Sequence, residues 1–175
     1  MNLKDAFACF LALCTMLVSA QAAEVTTTIS DVHLCCTSCV KGAQQCVADI
    51  PGLTAKVSLE DSTIALSGPD KATVQKGANA LTASGFFGKS SNADIKIDAS
   101  TGTTGQKVQT LTVSGVHLCC AKCVKAVGTA LSTVPGYTTN TAAKGAKTFQ
   151  VTGNFTDTDI FAALQKAGLT GKVAP

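Results

Sequence analysis

With 175 residues, the chain has room for one ordinary domain or two small ones, and its charge is close to balanced: 14 lysines against 11 acidic residues, a formal net +3. It contains no arginine, and because the guanidinium fork is the usual reader of phosphates and base edges, nucleic acid is excluded as an expected partner. Nine cysteines and two histidines put the chemistry on sulfur.

The chain opens with Lys4, an apolar run from Ala6 to Ala20, and the small-x-small triplet Ala20-Gln21-Ala22. That run is shorter than the roughly 20 residues that cross a bilayer, so residues 1–22 are expected to be a cleaved secretory signal rather than an anchor. The mature chain is then secreted or periplasmic and meets a membrane only through the removed segment. Cys9 and Cys14 leave with it.

From 24 to 91 the hydrophobic period switches between two and about 3.6. Val25, Thr27 and Ile29 alternate as a strand. Val40, Ala43, Val47 and Ile50 recur as one face of a helix that Pro51-Gly52 ends. Thr54 to Glu60 and Thr63 to Ser67 form a predicted hairpin around Glu60-Asp61-Ser62, with Val57, Leu59, Ile64 and Leu66 on its apolar face. A second helix is predicted over Asp70 to Ser84 with Val74, Ala78 and Leu81 inward; Gly85 stops it, and Phe86-Phe87 begin a last strand. The order is βαββαβ.

Residues 92–105 have the Ser, Asn, Thr and Gly composition of a linker, interrupted by Ile95 and Ile97. The pattern restarts over 106–175: Val108, Leu111 and Val113 in a strand, Val124, Val127, Leu131 and Val134 on a helix ended by Pro135-Gly136, and Phe149 and Val151 in a hairpin. Thr156 and Asp159 have the spacing of a capping pair for the next helix, whose apolar positions Ile160, Phe161 and Leu164 precede Gly168. Gly168-Leu169-Thr170-Gly171-Lys172 mirrors Gly85-Phe86-Phe87-Gly88-Lys89. Duplication explains the match. Each unit is near the lower size for independent folding, so a bound ion would add stability that a small core lacks.

The best-matched stretch carries the chemistry. Val32-His33-Leu34-Cys35-Cys36-Thr37-Ser38-Cys39-Val40-Lys41 and Val116-His117-Leu118-Cys119-Cys120-Ala121-Lys122-Cys123-Val124-Lys125 agree at eight of ten positions and hold both histidines. Exported cysteines first suggest disulfides, but three within five residues cannot pair tidily, because a bond between neighbours is strained and the number is odd. A ligand set used twice is the simpler cause. Cys39 and Cys123 fall in the first turn of a helix, where open backbone amides favour the thiolate that binds metal. His33 and Cys35 are two residues apart and face one side of an extended backbone. Cys46 is expected to be core, since it sits two helical turns, roughly 10 Å, beyond Cys39 and its counterpart is Ala130.

This unit, with Cys-x-x-Cys between first strand and first helix, resembles the heavy-metal-associated domain of copper chaperones, mercury scavengers and metal-transporting ATPases. The resemblance covers essentially all of both repeats. It implies an α+β protein of two tandem ferredoxin-like βαββαβ domains, with metal on Cys36 and Cys39 and on Cys120 and Cys123; Phe86 and Leu169 take the place of a loop aromatic near the site. Here His-Leu-Cys replaces the family's Gly-Met-x, which adds Cys35, Cys119, His33 and His117 to the candidate ligands. Two cysteines suit linear Cu(I), and three thiolates with one imidazole make a tetrahedral zinc set, so the expected ion is Cu(I) or Zn(II). The partners implied are that metal ion and a metal transporter or second metal-binding domain, in trafficking or sequestration.

Thiol-disulfide exchange is the alternative, since Cys-x-x-Cys at a helix start is also the thioredoxin arrangement. Against it stand the βαββαβ order and a third adjacent cysteine that would trap the pair. No histidine lies outside the motif to serve as a hydrolytic base, so no catalytic residue is expected.

Overall fold

The computed structural model describes residues 23–174; the proposed signal segment, with Cys9 and Cys14, lies outside them. Two units of identical topology follow one another. The first runs β1 (Val25–Ser30), α1 (Thr37–Val47), β2 (Thr54–Ser58), β3 (Thr63–Gly68), α2 (Lys71–Ala83) and β4 (Lys89–Ser90). The second runs β5 (Lys107–Ser114), α3 (Ala121–Leu131), β6 (Tyr137–Asn140), β7 (Thr148–Thr156), α4 (Asp157–Lys166) and β8 (Lys172–Val173). Sheet orders are β2-β3-β1-β4 and β6-β7-β5-β8 with every pairing antiparallel. These are two ferredoxin-like βαββαβ domains in the α+β class. No helix among the described residues is long and apolar enough to cross a membrane.

Alternation in the sequence becomes two layers in space. Thr27 and Ile29 on β1 and Ile64 and Leu66 on β3 are buried under α1 and α2, which contribute Ala43, Val47, Val74, Ala78 and Leu81. Leu111, Val113, Phe149 and Val151 meet Val127, Leu131, Ile160, Phe161 and Leu164 in the same way. Asp70 caps α2 through its carboxylate, which accepts from the Thr73 amide at 2.7 Å.

Several local expectations fail for identifiable reasons. Leu59 is 39% exposed because β2 ends at Ser58 and Leu59 already belongs to the turn. Thr156 occupies the N-cap of α4 but makes no side-chain cap bond; the working carboxylate is its neighbour. Asp157, buried, accepts from the Thr104 amide at 2.7 Å, the Thr104 hydroxyl at 3.1 Å and the Gly105 amide at 2.8 Å. The edge strand β4 starts only at Lys89, because Phe86 is in an isolated antiparallel bridge with Leu169 of the other unit. Cys46 is only half-buried, and its thiol donates to the Gly42 carbonyl at 3.0 Å.

The connecting segment is pinned despite its polar composition. Ile95 is 1% exposed. Gln75 on α2 bonds both the amide and the carbonyl of Lys96, Gln165 on α4 donates to the Ala99 carbonyl, and the Val173 amide donates to Thr101. One segment therefore fastens to both units.

The units meet through equivalent surfaces, the arrangement of a two-fold dimer within one chain. The Thr170 amide donates to the Gly85 carbonyl at 3.0 Å, and in reciprocal position the Phe87 amide donates to the Gly168 carbonyl at 3.2 Å. Gly85 and Gly168 have φ of +87° and +76°. A Cβ on Gly85 would strike the backbone of Gly115 and His117, and one on Gly168 the backbone of Asp31 and His33. Glycine is required there for both conformation and approach.

Candidate metal centre

Both cysteine loops lie at this junction. Cys36 and Cys120 are the N-caps of α1 and α3, in extended backbone, and neither cap is closed by a side-chain bond. The first-turn amides are thus left to favour negative charge on sulfur. One turn in, Cys39 and Cys123 are fully buried at 0% exposure, while Cys35, Cys36, Cys119 and Cys120 are half-buried. Leu34 and Leu118, next to the loops, are buried as apolar plugs.

The repeat places one cysteine loop in each unit and leaves open whether the two share ions. The six motif thiols converge, because the reciprocal Gly85 and Gly168 contacts bring the two helix starts face to face. Cys39 and Cys123 are 3.8 Å apart. Cys119 lies 3.4 Å from Cys39 and 3.7 Å from Cys123, and Cys35 lies 3.6 Å from Cys39 and 3.5 Å from Cys123. Towards the rim, Cys120 is 3.4 Å from Cys35 and 3.8 Å from Cys36. All six are free thiols. A tetrahedral ion with sulfur ligands at about 2.3 Å sets its sulfurs about 3.8 Å apart, so the spacing suits shared coordination.

The histidines complete the arrangement. Donor atoms of Cys39, His117, Cys119 and Cys123 lie within 4.8 Å of one another, as do those of His33, Cys35 and Cys123 and those of Cys35, Cys36 and Cys120. Each group draws on both units. His33 Nε2 and His117 Nε2 are the buried side-chain polar atoms without a hydrogen-bond partner among the described residues. Such an orphan costs stability unless something satisfies it. Desolvation lowers the pKa of both rings, with His33 adding to the effect on His117, so both are neutral near pH 7, the form that ligates metal. Phe86 lies against His117 with ring centroids 4.3 Å apart. This loop aromatic thus supports the neighbouring unit's histidine, while Leu169 is buried in the bridge opposite.

Crowding divides the thiols. Desolvation, then hydrogen bonds from neighbouring thiols, push Cys35 and Cys119 well above the usual thiol range, and desolvation leads in raising Cys123 to about 11. At Cys120 desolvation is outweighed by the Cys123 amide and the Cys35, Cys123 and Cys36 thiols, which bring it down to about 6. Desolvation is likewise outweighed at Cys39, which is lowered by the Cys35 amide and neighbouring thiols. A cation entering this cluster replaces protons that sulfur alone holds. A cleft of about 390 Å³ lined by His117, Cys119 and Gly145 reaches the cluster, and His33 borders another of about 450 Å³ with Lys122 and Lys125.

No family model matches the chain, and no curated protein does. Among solved structures, a copper binding domain from HMA7, a P-type ATPase, is 22% identical, with a TM-score of 0.36 over 39% of this chain and 96% of that one. The N-terminal soluble domains of Bacillus subtilis CopA are 16% identical, at a TM-score of 0.34 over 87% of this chain and 95% of theirs. The first two RRM domains of the yeast poly(U) binding protein Pub1 are 11% identical, with a TM-score of 0.25 over 86% and 98%. A fold does not fix a function, so the chemistry is read from side chains.

Proposed function

We propose that this protein is an exported metal-binding protein that holds a soft or borderline ion, Cu(I) or Zn(II), on its motif cysteines for trafficking or sequestration. The observation that carries the reading is the convergence of six free thiols at 3.4 to 4.0 Å with two half-buried histidines whose Nε2 atoms are buried without a hydrogen-bond partner among the described residues. Soft thiolate with neutral imidazole is a donor set for zinc and copper rather than for magnesium or calcium. Removal of residues 1–22 would deliver it to a secreted or periplasmic setting, where its partner would be a metal transporter or another thiol-bearing domain.

The test is metal retention. Protein isolated under reducing conditions and desalted should keep zinc or copper until a strong chelator removes it, and should rebind it with release of protons. Protein that retains neither metal, yet turns over disulfide substrates with a reductant, would replace this reading with thiol-disulfide exchange.

A further inference from the structure

The donor groups overlap in an informative way. Cys39, Cys119 and Cys123 form a closed triangle with edges of 3.4, 3.7 and 3.8 Å. Cys35, Cys39 and Cys123 form a second, with edges of 3.5, 3.6 and 3.8 Å. The two share one edge, Cys39 to Cys123, and these are the fully buried thiols of the six. His117 lies with the first triangle, and His33 approaches Cys35 and Cys123 of the second. Exchange of the units maps one triangle and its histidine onto the other.

Resting on the metal-binding reading above, we propose that the junction is a single binuclear centre in which Cys39 and Cys123 bridge two ions. Cys35 and His33 complete one ion, and Cys119 and His117 the other. Each ion then has three sulfurs and one nitrogen, the four-coordinate set that zinc favours. Four thiols lose their protons to solvent as two divalent ions enter, so four negative charges meet four positive ones. That neutrality matters at a buried site, where an uncompensated charge is expensive, and it favours a divalent ion over Cu(I). One imidazole nitrogen from each histidine completes the set. Cys36 and Cys120, at the rim, are left outside the centre as spare thiols.

The experiment uses the full mature chain loaded with ¹¹³Cd²⁺ under reducing conditions, with proton–cadmium correlation NMR. Two cadmium resonances are expected, with the β-protons of Cys39 and Cys123 correlating to both, those of Cys35 to one and those of Cys119 to the other. Cys46→Ser, outside the motif with its thiol on the Gly42 carbonyl, should leave this pattern intact. Cadmium signals that each correlate with cysteines of one unit only, or a single bound cadmium, would overturn the bridged centre while leaving metal binding standing. Protein that binds no cadmium would overturn both.

Discussion

Cys35 and Cys119 are the residues that separate this site from a two-cysteine one. Replacing both with serine should weaken metal affinity by more than about a hundredfold, beyond the loss expected for a supporting contact, and should change the thiolate charge-transfer absorption. Competition with a chromophoric chelator measures it. Cys46→Ser should change stability without changing the metal-to-protein ratio, since that thiol is spent on the Gly42 carbonyl. In the metal-free protein Cys120 should be the first motif thiol alkylated by iodoacetamide. Its rate should fall as pH drops through about 6, because the thiolate is the nucleophile; mass mapping after brief labelling gives the order. The ligand-type residues were visible in the repeat, because histidine and cysteine recur at identical offsets. Which thiol meets which was not, since Cys35 and Cys123 are 88 positions apart and no local period encodes that contact.

At the level of elements, Asp157 ties the start of α4 to the connecting segment. Asp157→Ala removes the charged acceptor of the hydrogen bonds from Thr104 and Gly105, which water can partly replace at these exposed residues, and should cost about 1.5 kcal/mol, measured by urea denaturation. Although desolvation opposes it, the Thr104 and Gly105 donors hold the carboxyl below its ordinary 3.8. With the folded value depressed, the contribution is full above 3.8 and is lost as pH falls through the lower folded value. Acid should therefore destabilise the parent more than the variant. Sequence spacing pointed to Thr156 and Asp159 instead, because the partners of Asp157 arrive from residues 104 and 105, which composition marks only as linker. Strand and helix periods survived well where the partner face lay within the same unit. They failed at Phe86, whose bridge partner is in the other copy.

The whole molecule depends on two loops that must approach each other closely. Gly85→Ala or Gly168→Ala imposes a left-handed conformation costing roughly 1–2 kcal/mol, and its methyl group strikes the opposite backbone. Either change should leave circular dichroism near that of the parent while slowing formation of a Cys35–Cys120 disulfide when the two-electron oxidant diamide is added, since these sulfurs are 3.4 Å apart in the parent; mass mapping of the cross-linked peptides gives the rate. Duplication and the βαββαβ order were legible because both leave periodic marks in the chain. The facing of the two copies was not, because it rests on reciprocal backbone bonds between Gly85, Thr170, Phe87 and Gly168 that carry no side-chain signature. Covalent continuity through the pinned segment has a further result. Two separate subunits sharing these thiols would come apart on dilution, whereas here the second half is always supplied at a high effective concentration. Metal occupancy should depend on free ion alone, and remain unchanged however sparse the protein becomes.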